Sequence, residues 1–193
     1  MYEKANVEYY YLRGKAMWAH ITTPNTRFTP IKYSVEVLTD SDEGNRLANE
    51  HGLRMIEDRT GARKYEEPAF KFSSVAEYRV SKKDKNGNAI YLTPEDEGGQ
   101  RRETINISEA DKVKDKKGRE NPLRAKETVK KHAPLLIDED GNKLDVTVTN
   151  GSDITVKFKT FTSSFGTFGE LVAVKVHSIN EYEQQVDLDN EEF

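Results

Sequence analysis

Lys157, Lys159 and Phe161 recur at every second position, so any extended strand carries both cations and the ring on one side. Lys15 and Trp18 share another strand-like stretch, Lys71 lies between Phe70 and Phe72, and Tyr78-Arg79 follows. Arg27 stands just beyond the turn residues Thr22-Thr23-Pro24-Asn25. Cations interleaved with rings are what an unpaired polynucleotide requires. Ammonium and guanidinium groups track its phosphates, and each base stacked on a ring contributes about 1–3 kcal/mol. Lys15, Arg27, Lys71, Arg79, Lys157 and Lys159 are therefore the candidate phosphate contacts, with Trp18 and Phe161 the candidate stacking rings. A plainer reading stands beside each. Phe70, Phe72 and Tyr78 have one parity and are expected in the core, as aromatic residues of β-proteins usually are. Lys157 and Lys159 oppose the apolar face of Ile154, Val156 and Phe158, and exposure alone makes them solvated lysines.

A second chemistry sits at the end of the chain. Residues 181–193 hold six carboxylates in thirteen residues, no Lys or Arg, and a terminal aromatic ring. Such a segment buries too little apolar surface to offset its ordering entropy and is expected to be disordered. Like-charge blocks at chain ends are often interaction tails. Asp187, Asp189, Glu191 and Glu192 could compete with an anionic ligand for a basic groove, while Phe193 could anchor in a partner's pocket; the plainer reading is a solubilising tail. The charge balance sharpens this. The whole chain carries −4, and removing the −6 of the tail leaves +2 on residues 1–180.

Other chemistries find no support. The chain has no cysteine, hence no disulfide, thiolate metal site or cysteine nucleophile. It lacks a P-loop, Gly-x-Ser-x-Gly and His-Glu-x-x-His. His20, His51, His132 and His177 are scattered. An EF-hand loop with Gly141 or Gly87 at its sixth position would start at Leu136 or Lys82, neither of which can ligate calcium. No metal, cofactor or enzymatic activity is expected. No apolar run approaches the roughly 18–20 residues of a membrane span, and Met1–Asn6 has no signal-peptide core. The expectation is a soluble intracellular protein.

The elements that would position these residues are mostly strands. Gly14–Ile21 reads as a first strand. Ile31–Thr39 alternates, with Ile31, Tyr33, Val35 and Val37 on one face and Lys32, Ser34 and Glu36 on the other. Asp40-Ser41-Asp42 caps a short helix over Glu43–His51, closed by Gly52. Glu67–Val80 reads as one strand, followed by a turn at Lys85-Asn86-Gly87-Asn88 and a return strand to Leu92. Thr93–Ala133 reads as a charged long loop with one short helix at Leu123–His132. Leu135–Ile137, a turn at Asp138–Asn142, a strand over Asp153–Phe161, a flexible loop at Thr162–Gly169 and a final strand with Val172, Val174 and Val176 on one face complete the chain. The expected organisation is one all-β domain over 1–180, with 93–133 a long loop or insertion, and an acidic tail over 181–193. Five core strands with one short helix fit a Greek-key barrel of the OB type.

Three stretches resemble a known family, the single-stranded DNA-binding proteins of short-tailed bacteriophages of the T-seven type. They are Gly14-Lys15-Ala16-Met17-Trp18-Ala19-His20-Ile21-Thr22-Thr23-Pro24-Asn25-Thr26, the strand from Gly151 to Phe158 with Phe165-Gly166 and Leu171–Val176, and the acidic tail ending in Phe193. Thr93–Ala133 has no counterpart in the resemblance. What the resemblance implies is an OB-fold core that coats single-stranded DNA during replication, recombination and repair, with strand annealing. It also implies tail contacts to the phage DNA polymerase and helicase-primase, and a homodimer held partly through the tail, in the cytoplasm of an infected bacterium. Two other readings of the residues remain: a structural or adaptor β-domain, such as a virion component, that binds no nucleic acid, and an RNA-binding OB protein.

Overall fold

The computed structural model describes residues 7–27, 29–108, 112–114 and 120–181. In chain order the elements are β1 (Tyr10–Asn25), β2 (Lys32–Leu38), α1 (Ser41–His51), β3 (Ala69–Val75), β4 (Glu77–Ser81), β5 (Tyr91–Leu92), β6 (Glu103–Thr104), β7 (Lys112–Lys114), β8 (Glu120–Pro122), β9 (Lys126–Lys130), β10 (Leu135–Ile137), β11 (Asp153–Ser163) and β12 (Gly166–Ser178). The described residues divide into two compact units, one of those up to Ala76 together with those from His132 onward, and one of those within Glu77–Lys131. No helix among the described residues is long and apolar enough to cross a membrane.

The first unit is a closed five-stranded barrel. β11 pairs β1, β1 pairs β2 and β2 pairs β3, all antiparallel. β12 pairs β11 antiparallel and then β3 in parallel, which closes the ring. β10 adds a short parallel edge to β12. This is the all-β OB barrel expected from the alternation of the strands. Tyr33, Val35 and Val37 of β2, Phe70 and Phe72 of β3, and Ile154, Val156 and Phe158 of β11 all point into the buried core. α1 begins where the Asp40 carboxylate accepts the Glu43 N–H at 2.9 Å. It ends at Gly52, whose left-handed φ of 62° suits a residue without a Cβ. Leu47 anchors the helix in the core, and His51 lies against Tyr10 with ring centroids 4.4 Å apart.

Closure depends on one glycine. Gly169 of β12 faces Phe72 of β3 across the parallel pair, and the Phe72 ring lies 4.6 Å from that of Phe158. A Cβ on residue 169 would overlap the Phe72 ring. The missing side chain is therefore the space in which a core phenylalanine sits.

Several expectations change. β1 is longer than read, running from Tyr10 to Asn25, because it curls to pair β11 with its first half and β2 with its second. The single strand read over Glu67–Val80 is two strands, β3 and β4, in different units. Tyr78 consequently leaves the barrel core and is 43% exposed. Leu123–His132 is not helical but contains β9, which pairs β4. Thr162–Gly169 is not a loop: β11 runs to Ser163 and β12 starts at Gly166, leaving a tip of Ser164-Phe165. Val172 does not share the inward face. A register shift between Lys157 and Phe158 leaves Val172 unpaired and turns Leu171 into the core.

The second unit consists of three two-stranded ladders, β4–β9, β5–β6 and β7–β8. Among its described residues Ala125 is the only buried apolar side chain. Backbone bonds such as Ala125 N–H to the Ile90 carbonyl (2.9 Å) and the Lys82–Glu103 ion pair at 2.7 Å hold it.

If Gly169 makes room for Phe72, Gly169→Ala alone lowers unfolding free energy by about 1–3 kcal/mol through overpacking. Combined with Phe72→Leu, it costs less than the sum of the single changes. Urea denaturation of the four proteins checks this; strict additivity would contradict the shared-space account.

Candidate nucleic-acid interface

A groove of about 590 Å³ runs over the outer face of β2 and β3. One end is formed by Asn25 at the end of β1 with Thr29 and Pro30 of the β1–β2 connection; another wall is the Phe161–Phe168 pair near the β11–β12 tip. A third wall is the segment after α1, Arg54 to Asp58. In OB folds the strand 2–3 face, with the loops joining strands 1–2 and 4–5, is where oligonucleotides and oligosaccharides bind. Here those positions correspond to β2–β3, residues 26–31 and the Ser164-Phe165 tip.

The strand alternation that sends Val35, Val37, Phe70 and Phe72 inward sends Lys32, Ser34, Lys71 and Ser73 outward into the groove. Lys32 has no ion-pair partner among the described residues. Arg54 is held from two sides, donating to the Phe165 carbonyl at 3.3 Å and pairing with Glu57 at 3.2 Å. Phe161 and Phe168 are directly opposed, with centroids 5.7 Å apart and planes 29° from parallel. Phe161 is 46% exposed, so its ring is available to a ligand.

Beside Lys71 lies a buried carboxylate. Glu36 is on the outer, nominally polar face of β2 yet only 7% exposed. The chain between α1 and β3 covers it: the Tyr65 hydroxyl donates to the carboxylate at 2.6 Å and Lys64 Nζ at 2.9 Å. Burial and the adjoining Glu36 carboxylate push the Tyr65 phenol up from its ordinary pKa. Lys71 Nζ stands 4.0 Å from the other Glu36 oxygen. Glu36 thus ties the covering segment down and leaves the cations at that end of the groove partly neutralised.

Of the eight candidate residues, Lys71 and Phe161 line the groove. Arg27 is exposed in the β1–β2 connection, its N–H bonded to the side chain of Asn25, which does line it. Lys15 and Lys157 lie on the outer face of β1–β11 instead; Lys157 Nζ is 4.4 Å from the Tyr9 ring centroid and 5.8 Å from that of Tyr11. Lys159 pairs with its cross-strand neighbour Glu170 at 3.1 Å. Trp18 sits where the β1–β2 register shifts, with φ at 50° and its N–H bonded to Asn150 Oδ1 at 2.7 Å. That bulge throws its ring outward, 58% exposed. Arg79 belongs to the second unit. Asp187, Asp189, Glu191, Glu192 and Phe193 lie outside the described residues.

Lys32, Arg54 and Phe168 line the groove but were not among the candidates. Phe168 was findable: it follows from extending β11 and β12 up to the Ser164-Phe165 tip, which places it opposite Phe161. Arg54 had no signal, since it lies in an irregular segment whose path is set by tertiary contacts such as its own N–H to the Thr167 carbonyl at 3.0 Å.

No protein-family model matches the chain, and no curated protein sequence matches it. Among solved structures it is similar to the Enc34 bacteriophage single-stranded DNA-binding protein, at 13% identity and TM-score 0.37 over 89% of this chain and 82% of that one. It is similar to the same protein in complex with single-stranded DNA at 13% identity and TM-score 0.34, over 89% of this chain and 88% of that one. The likeness to gp2.5, a single-stranded DNA-binding protein encoded by bacteriophage T7, has TM-score 0.52 at 14% identity and covers 97% of this chain and 95% of that one. At the level of fold, the resemblance read from the terminal strands is borne out: this chain shares the fold of a phage single-stranded DNA-binding protein along nearly its whole length.

Proposed function

We propose that this protein binds single-stranded DNA without sequence preference, in the β2–β3 groove. The observation that carries the reading is the juxtaposition of the exposed Phe161 ring, stacked on Phe168, with Lys32, Arg54 and Lys71 on the face where OB folds take oligonucleotides. Rings accept any base and cations accept any phosphate, which gives binding with no readout of base edges. The shared fold with gp2.5, whose described role is single-stranded DNA binding, supports the same reading. Trp18 and Arg27 would extend the contact along the β1 bulge and the β1–β2 connection.

The finer roles belong to the same proposal. The protein coats DNA during replication, recombination and repair in an infected bacterium, as a homodimer. Asp187, Asp189, Glu191 and Glu192 compete with DNA, and Phe193 anchors the chain end to the phage DNA polymerase or helicase-primase. The replication roles, the partners and the homodimer are what the resemblance to the phage family implies; the support for a competing, anchoring tail is the residue pattern, six carboxylates and a terminal ring within thirteen residues, on a chain whose remainder is net positive. A buried aromatic anchor within a polar rim is how such short segments generally dock.

Titration with fluorescent oligo-dT at two salt concentrations tests the central reading. Tight, salt-dependent binding is expected; no binding at low salt would instead favour the adaptor reading. Phe161→Ala is expected to weaken binding by about 1–3 kcal/mol, and Lys71→Gln to reduce the slope of log affinity against log salt by about 0.7. Deleting residues 181–193 should tighten DNA binding and abolish partner contact. Weaker binding by the truncated chain would contradict the competition.

A further inference from the structure

The positive charge of this chain is unevenly placed. Residues 77–131 hold 15 Lys and Arg against 11 Asp and Glu, a formal +4. Outside that stretch, and leaving the tail aside, 15 Lys and Arg face 17 Asp and Glu, a formal −2. The barrel part is therefore slightly acidic, and the basic excess of the body lies wholly in the inserted unit. That unit has almost no apolar core among its described residues, so its composition is not explained by packing.

Part of this charge is organised by strand register. In the β4–β9 ribbon, Glu77 lies opposite Lys130, Arg79 opposite Thr128 and Ser81 opposite Lys126. Directly opposed residues in an antiparallel pair share a face, so Arg79, Lys126 and Lys130 project from one side, with Glu77 the single acid among them. Tyr78, Val80, Val129 and Glu127 take the other side. Arg79, Lys126 and Lys130 are exposed, and none has an ion-pair partner among the described residues. Diagonal neighbours on such a ribbon are spaced about 7–8 Å apart, close enough for long cationic side chains to hold successive phosphates of one strand. The face carries no aromatic ring, so it can hold a backbone but cannot stack bases.

From this register and charge, we infer that the β4–β9 ribbon of the inserted unit is a second nucleic-acid contact surface, on which Arg79, Lys126 and Lys130 bind the phosphate backbone. The inference rests on the nucleic-acid reading above and assigns to the inserted unit a role distinct from the groove: the groove combines stacking rings with a few cations, and the ribbon supplies phosphate contacts alone. Backbone phosphates could come from a single strand or a duplex, since a two-stranded ribbon also fits a major groove.

The test uses the full chain with fluorescent oligo-dT and, in a parallel arm, a mixed-sequence duplex, each over a range of salt. The variant Arg79→Gln/Lys126→Gln/Lys130→Gln is compared with a charge-matched control outside the ribbon, Lys83→Gln/Lys85→Gln/Arg102→Gln. A third variant, Arg79→Lys/Lys126→Arg/Lys130→Arg, keeps the charge. Losing three phosphate contacts should shallow the single-strand salt slope by about 2, while the control and the charge-preserving variant keep the intact slope. Loss in the duplex arm only would assign the same site to duplex phosphates. An unchanged slope in both arms, or an equal change in the control, overturns the inference while leaving the groove reading intact. Failure of the intact protein to bind either probe would remove the nucleic-acid reading itself.

Discussion

The contact between Gly169 and Phe72 is the constraint on which the rest of the barrel depends. β3 and β12 are parallel neighbours far apart in sequence, and nothing local brings them together. They meet because a phenylalanine on one strand occupies the space where the other has no side chain, with Phe158 completing the cluster. Once that seam is closed, Lys71 and Ser73 of β3 come beside the β11–β12 hairpin, and its Phe161–Phe168 pair becomes a wall of the same groove. Without the seam, the cations of β2–β3 and the rings of the hairpin would lie on separate edges of an open sheet. The groove is thus a consequence of core packing on the other side of the strands.

Much of this was legible in the sequence, for a definite reason. β2, β3 and β11 have one buried face, so apolar residues recur at every second position and the inward set can be read directly; Val35, Phe72 and Val156 are all fully buried. The α1 boundaries were legible because Asp40 and Gly52 perform local chemistry. Illegible were features decided by partners distant in sequence. The unpaired Val172 exchanges Val172 for Leu171 in the core. Glu36 looks like an exposed acid until the segment bearing Lys64 and Tyr65 is laid over it. β5 to β9 are too short, and too poor in apolar residues, for alternation to register, and the 123–132 stretch suggested a helix where β9 pairs β4.

For the site, the residue types were readable but their grouping was not. Lys157, Lys159 and Phe161 share parity, which suggested one surface. Along β11, however, the neighbours change with position: Lys157 meets tyrosines of the N-terminal segment, Lys159 meets Glu170, and Phe161 meets Phe168. One strand therefore contributes to different surroundings within five residues. The charge balance follows the same lesson. The mild positive charge of residues 1–180 belongs to the inserted unit, and the barrel groove holds only a few placed cations beside its paired rings.

The central claim is that unpaired DNA lies in the β2–β3 groove against Phe161. Photocrosslinking of an oligonucleotide carrying 5-iodo-deoxyuridine to the intact protein, followed by mass spectrometry of the crosslinked peptides, tests it most directly. The account predicts crosslinks at Phe161 and Phe168, lost together when Phe161 is replaced by Ala. Crosslinks confined to Tyr9 and Tyr11 on the outer face of β1–β11, with Phe161 and Phe168 unmodified, would contradict it.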